Sequence, residues 1–401
     1  MQKTATLIIA LLTTLISTAQ ESGHSNSLYN NSADNLLASD GRLTIGGYAQ
    51  IDYNQPFGSD TRYNGKLDIH RLVMLFGYNF SERTSFVTEI EFEHVTEVYV
   101  EQAFLQHRIT DGINFRGGLM LIPMGIINEF HEPTTYNGVE RPVIDSYLAP
   151  TTWREIGFGF TGVLLAPSIK YQAYLVNGFN SYNGSGTLNG SSGLRKGRQK
   201  GAESFISHPN FTFKTEYFGI RGLNLGVSGY FGKTSSSLFN GISREDEAAL
   251  ARADSSIVGI AMTGLDGRFT RGGLSLRGQL YYTIISNSDR YNSFTSETGI
   301  SNDLGSQMTG YYIEASYNLF RSIEAADYEL IPFIRYSNYN THHRVDESLT
   351  ANNSYHKTII TTGAGIRLSN GAVIKCDIQL TKPESAGSFS KTFNAGIGIM
   401  F

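Results

Sequence analysis

Glu89, Glu91 and Glu93 occupy every second position, opposite Phe86, Ile90 and Phe92. In an extended chain, carboxylates at that spacing share one face, where they attract cations and repel anions. A second group with reactive side chains lies between Met124 and Thr152: Glu129, His131, Glu132, Glu140, Arg141 and Asp145. Glu129, His131 and Glu132 carry metal-donor atoms, but no His-x-x-x-His pair or cysteine set accompanies them, so no metal site is expected. Asp145-Ser146 and His131 supply the residue types of a hydrolytic site. A nucleophile, its base and an orienting group must also meet within hydrogen-bond reach, and nothing in the spacing arranges that. No catalytic residue is assigned. Gly157-Phe158-Gly159-Phe160-Thr161-Gly162 matches a dinucleotide-binding pattern by letter. Its glycines and aromatics alternate within a strand, without the helix start that receives a pyrophosphate, so no cofactor is expected. Arg195, Lys196, Arg198 and Lys200 read as a solvated basic loop or as an anion-collecting funnel, and His342-His343 as a solvated pair.

These groups must be held by something, and composition narrows what that is. The chain has 401 residues with 12% aromatic and 17% charged residues, 43 Gly and one cysteine. That aromatic content is too high for a disordered chain. A single cysteine excludes a disulfide framework. A net charge of −4 gives no electrostatic footprint for nucleic acid. A bundle of membrane helices would need several runs of about 20 apolar residues, which the sequence lacks.

Lys3 precedes an apolar run from Ala5 to Ile16 and then Ser17-Thr18-Ala19. This is the pattern of a secretory signal peptide, so 1–19 is expected to be removed on export. Residues 20–41 are rich in Ser, Asn and Asp, without a sustained period, and are expected to form a mobile lead-in. Across 42–401 the dominant period is two. At the C-terminus Phe393, Ala395, Ile397, Ile399 and Phe401 alternate with Thr392, Asn394, Gly396, Gly398 and Met400. Ile374, Cys376, Ile378 and Leu380 likewise oppose Lys375, Asp377 and Gln379. Charges gather on one face, as required when a charge facing lipid at mid-bilayer costs about 2–4 kcal/mol.

Run-and-turn criteria give about sixteen strands. If the first runs outward, every even connection should be a short inner turn and every odd one a longer loop. The even connections are all short, and 123–152, 179–208, 233–255, 287–306 and 341–355 are long and polar. The exception is Thr96, an odd connection with almost nothing in it. Ser243 to Leu250 resembles a capped short helix within one loop. The expected fold is an all-β transmembrane antiparallel β-barrel. Alternation fails in two places: it does not settle whether His70 or Arg71 points inward, nor how Glu101, Gln102, His107 and Arg108 face.

Gly118-Leu119-Met120-Leu121-Ile122-Pro123-Met124-Gly125 resembles the Gly-x-x-x-x-Pro-x-Gly segment of the phosphate-selective porins of Gram-negative outer membranes. Arg154-Glu155-Ile156-Gly157, Pro332-Phe333-Ile334-Arg335-Tyr336 and Val373-Ile374-Lys375-Cys376-Asp377 add to the resemblance, which covers essentially the whole mature chain. It implies an outer-membrane homotrimer of water-filled 16-stranded barrels with short periplasmic turns, each pore narrowed by its third outer loop, here 124–152. It also implies contact with membrane lipid and lipopolysaccharide, and passive diffusion of small hydrophilic solutes or ions rather than catalysis. Expected pore-lining residues are Glu89, Glu91 and Glu93 on one wall, with Arg116, Lys170, Lys214, Arg277, Arg335, Arg367 and Lys375 as basic groups. This spread departs from the concentrated arginine ladder of anion-selective members, and an acidic ladder stands where theirs is basic. A barrel hydrolase and an adhesion or structural barrel with a closed lumen are the competing readings.

Overall fold

The computed structural model describes residues 31–296, 301–323 and 326–401. The expected signal peptide and residues 20–30 lie outside the described residues. Sixteen strands form one closed antiparallel barrel. They are β1 (Leu43–Phe57), β2 (Lys66–Asn79), β3 (Thr84–Glu93), β4 (Glu97–Thr110), β5 (Ile113–Leu121), β6 (Arg154–Leu164), β7 (Ile169–Val176) and β8 (Asn210–Tyr217). They continue as β9 (Leu223–Lys233), β10 (Gly259–Arg271), β11 (Leu274–Ser286), β12 (Gln307–Tyr317), β13 (Glu329–Arg344), β14 (His356–Ser369), β15 (Ala372–Pro383) and β16 (Ser390–Met400). Each strand pairs with the next, and β16 closes on β1 with Met400 opposite Tyr48.

The period of two sorts the side chains. Along β6, Ile156, Phe158 and Phe160 are exposed outside while Glu155 and Thr161 are buried inside. Along β15, Ile374, Cys376 and Ile378 face outward and Lys375 and Asp377 inward. An apolar outer band with polar groups turned in is what a bilayer demands of a barrel. Among the described residues no helix is long and apolar enough to cross a membrane. Connections alternate as expected, with 94–96 the short exception at the long-loop end.

Two β-bulges explain why alternation fails where it does. Between β1 and β2 the register passes from Gln50↔Arg71 to Ile51↔Ile69, leaving His70 as an extra residue. Between β3 and β4 it passes from Glu89↔Gln102 to Ile90↔Val100, leaving Glu101 extra. A bulge aims two successive side chains to one side. Accordingly His70 reaches Asp52 (3.0 Å) while Arg71 reaches Glu91 (3.4 Å), and Glu101 and Gln102 are both buried in the lumen. His107 and Arg108 stay exposed at the rim, held by Thr84 and the Glu82 carbonyl.

The glycines of the 157–162 motif have a structural job. A Cβ on Gly157 or Gly159 would lie 2.1 Å from the Leu175 carbonyl oxygen or 2.0 Å from that of Ala173. The motif is a close strand contact with β7, and β6 runs through it without a following helix.

The described part of the lead-in carries a short helix. Helix α1 (Ser32–Leu37) starts at Asn31, whose side chain accepts from the Asp34 amide in a capping box, and it buries Ala33 and Leu36. Asp34 meets the Lys170 ammonium at 2.6 Å at the start of β7. The helix therefore lies in the short-turn mouth of the barrel, tethered by the Asn79 amide donating to the Ser39 and Gly41 carbonyls. Three further helices sit in the long loops: α2 (Ile144–Tyr147), α3 (Glu247–Ser255) and α4 (Ser288–Thr295). The helix expected near 243–250 is α3, capped by Asp246.

Candidate constriction site

The long connection between β5 and β6 folds into the lumen. Gly125 starts it with φ +66°, and a Cβ there would fall 1.8 Å from the Tyr281 hydroxyl oxygen, so only glycine lets the chain turn against that wall. Ile126, Ile127, Phe130 and Tyr136 form a small apolar cluster within it. The loop ends are joined by Asn128, which donates to the Ile122 and Trp153 carbonyls and accepts from the Trp153 amide. Trp153 clusters with Phe179 and Tyr230, with ring centroids 4.5 and 4.6 Å away.

Most of the basic residues expected to line the pore instead hold this loop. Lys375 donates to the carbonyls of Tyr136 (2.5 Å) and Gly138 (3.0 Å), Arg277 to that of Thr135 and Arg367 to that of Thr134. Arg335 pairs with Glu314 and reaches the Glu140 carbonyl. Lys214 donates to the Gly125 carbonyl and meets Glu129 at 2.8 Å. Asp377 accepts from the Val139 amide. Arg116 is bound by Gln106, and Lys170 by Asp34 of the inner-mouth helix. All these side chains point into the barrel, and cations clamping carbonyls satisfy loop acceptors that no sheet would pair.

The acidic residues divide similarly. Glu129 is buried, which alone would raise its pKa; the ammoniums of Lys214 and Lys170, with hydrogen bonds from Lys214 and Gln172, hold it at about 2. Glu89 is buried against His131, Tyr48 and Gln102. Glu132 accepts from the Ser32 hydroxyl, and Glu140 from Asn54. Arg141 donates to the His131 carbonyl. Asp145 accepts from Gln279 and Tyr281, and its burial raises its pKa to about 7. Among the described residues no hydrogen bond joins Ser146 to His131, whose ring faces Glu89 and Glu101.

Beside the loop lies a cavity of about 150 Å³. Glu91, Glu93 and Glu140 line it, together with Arg71, Arg141, Arg154, Arg195, Arg198 and Lys200. Arg116, Arg277, Arg335 and Lys375, the expected basic counterpart, are not among its lining residues. Three of the four cations of the 195–200 cluster reach the cavity, while Lys196 stays exposed: Arg195 and Arg198 both donate to the Thr151 carbonyl, and Lys200 lies over the Tyr99 ring. Crowding follows from this arrangement. Burial, then the charges of Arg195 and Arg154, lower the Arg198 pKa to about 9. Arg71 and Arg154 were missed as lining residues. The bulge hides the first, and the second stands at the first position of β6.

No family model matches the chain. A protein of Aquifex aeolicus (strain VF5), described only as uncharacterized, is 32% identical over 315 residues, covering 75% of this chain and 66% of the relative. Solved structures place the architecture. OmpF of Salmonella typhi, in complex with daunomycin, superposes with a TM-score of 0.58 at 11% identity, covering 90% of this chain and 97% of OmpF. The anion-selective porin from Comamonas acidovorans gives 0.55 at 12%, covering 90% and 99%. The loop L8 deletion mutant of OmpT, an outer membrane protein of Vibrio cholerae, gives 0.53 at 11%, covering 90% and 100%. The barrel has the porin fold. At these identities the likeness extends to architecture alone.

Proposed function

We propose that this protein is an outer-membrane porin, exported by its 1–19 signal peptide, that lets small hydrophilic solutes diffuse down their gradient. The observation that carries the reading is the constriction loop folded inside a closed barrel, beside a small cavity walled by opposite charges. A solute in such a passage is selected by radius and by wall charge. Six basic side chains against three carboxylates favour anions, which agrees with the resemblance to phosphate-selective porins. Phosphate itself is the finer form of this proposal, as are a homotrimeric assembly and lipopolysaccharide contacts at the outer rim. No enzymatic role is proposed.

Reconstitution into planar bilayers tests it. Discrete conductance steps with a reversal potential displaced toward the anion equilibrium potential are expected. Absence of steps from the folded protein overturns the porin reading in favour of a closed structural barrel.

A further inference from the structure

Three side chains from three separate elements converge on one buried point. Glu89 comes from β3, Glu101 from the bulge of β4 and His131 from the constriction loop, and all three are buried. His131 Nε2 lies 3.3 Å from Glu89 Oε1 and 3.4 Å from Glu101 Oε2. Donors about 2.0–2.2 Å from a central tetrahedral ion lie about 3.3–3.6 Å from one another, so these spacings suit such an ion.

The surroundings also suit it. The other ring nitrogen of His131, Nδ1, is 3.2 Å from the Asn128 carbonyl oxygen and donates to it. That bond leaves Nε2 aimed at the carboxylates, the arrangement that orients metal-binding imidazoles. Gln102 donates to the far oxygen of Glu89, and the Tyr48 hydroxyl lies within hydrogen-bond range of Glu89 Oε1 and Glu101 Oε2. Glu101 Oε1 is buried without a hydrogen-bond partner.

Charge supplies an independent argument. Glu91 is answered by Arg71 at 3.4 Å and Glu101 by Arg154 at 3.8 Å. Among the described residues, no lysine or arginine lies within 4 Å of Glu89 or of Glu132, the neighbour of His131 in the chain. Among the described residues Glu132 Oε2 has no hydrogen-bond partner. Glu89 therefore meets His131 but no Lys or Arg, and a bound divalent ion would add positive charge where buried carboxylates are costly unless paired or bound to metal.

We propose that Glu89, Glu101 and His131 bind one divalent transition-metal ion of the zinc type, tying the constriction loop to the barrel wall. One nitrogen and two carboxylate donors fit zinc-type ions, whereas calcium takes six to eight oxygens. The site stands independently of the transport reading, since a closed barrel could use the same clip. The 124–152 segment alone could not reveal it, because two of its three ligands lie on strands remote in sequence.

The test is zinc binding by the purified, folded full-length chain after chelator treatment, with zinc chloride as probe. Metal content after equilibrium dialysis gives stoichiometry and affinity. One high-affinity zinc per chain is expected. Glu101→Gln, which keeps the side-chain shape, and His131→Gln should each weaken it at least about tenfold, the lower end of what losing even a supporting residue costs. His342→Gln/His343→Gln, at a distant histidine pair, should leave it unchanged. If His131→Gln fails to fold, Glu101→Gln decides. Absence of a high-affinity zinc in the wild type, or affinity unchanged in a folded Glu101→Gln variant, overturns the proposal.

Discussion

Asn128 and Trp153 fasten the two ends of the constriction loop to each other. Asn128 Nδ2 donates to the Trp153 carbonyl at 2.9 Å, and its Oδ1 accepts from the Trp153 amide at 2.8 Å. A third bond, 2.7 Å to the Ile122 carbonyl, draws in the start of the loop. One buried side chain thus satisfies three backbone groups where the sheet ladder stops.

Replacing Asn128 by Ala should therefore open the base of the loop. The Trp153 amide loses its partner, at about 1–3 kcal/mol, while the Trp153 and Ile122 carbonyls keep the Ile122 and Met124 amides. Trp153 is the chain's one tryptophan, so its fluorescence reports the change directly. A red-shifted emission and easier quenching are expected in Asn128→Ala, while an unchanged spectrum would show that the aromatic cluster holds the base alone.

The opposite limb of the loop depends on Lys375. Its ammonium is buried and serves the Tyr136 and Gly138 carbonyls. Lys375→Met fills similar volume but donates nothing, leaving two carbonyls short of a partner at about 1–3 kcal/mol each. Conductance should rise and become noisier as the 134–140 segment leaves the wall. A folded variant with wild-type conductance would mean that Arg277, Arg335 and Arg367 suffice to pin it.

The inner mouth offers a parallel test. Asp34 fixes α1 through Lys170 at 2.6 Å and Arg116 at 3.8 Å. Removing one partner of a fully buried pair costs about 3–5 kcal/mol, and Asp34 retains some exposure, so the loss here should be smaller. Asp34→Asn should free the helix and raise single-channel conductance, with protease cleavage near residues 31–38 becoming faster. Equal cleavage rates would show that the apolar contacts of Ala33 and Leu36 hold the helix by themselves.

These relationships differ in how visible they are in the chain. The sixteen strands and the sorting of connections follow from period-two alternation and turn composition, which are local. The directions of His70, Arg71, Glu101 and Gln102 are not local, because a bulge depends on the partner strand. The inward orientation of Lys375 and Arg335 is readable from alternation; their attachment to loop carbonyls is not, since those carbonyls lie some two hundred residues away. The basic 195–200 run is plain in the sequence, yet only the fold brings Arg195 and Arg198 to the Thr151 carbonyl. The short helix after Asn31 is not read from the sequence, because six residues are too few to show a sustained period.

Asp145 gives loop docking a dependence on pH. Its folded-state pKa is raised to about 7 by burial, against an ordinary value of 3.8. For a group whose pKa rises on folding, the associated stability is complete below about pH 4 and is lost as pH climbs through about 7. Loop docking should weaken over that interval, read as a pH-dependent shift in Trp153 emission. Asp145→Asn keeps an acceptor for Gln279 and Tyr281 and should flatten the profile. A profile unaltered by that substitution would assign the dependence to other groups.

Selectivity turns on the cavity's unequal walls. Arg195, Arg198 and Lys200 all come from the connection between β7 and β8, so replacing the three with Gln leaves the barrel strands untouched. The cavity then keeps Arg71, Arg141 and Arg154 against Glu91, Glu93 and Glu140, a formal balance of three and three. Reversal potential across a salt gradient should move toward the cation equilibrium value. The shift should be largest near 0.01 M salt, where the screening length is about 30 Å, and much reduced near 1 M, where it is about 3 Å. Glu91→Gln/Glu93→Gln should move it the other way. If the triple variant keeps the wild-type reversal potential at low salt, selection occurs elsewhere along the lumen and the cation cluster serves only to seat its own loop against Thr151.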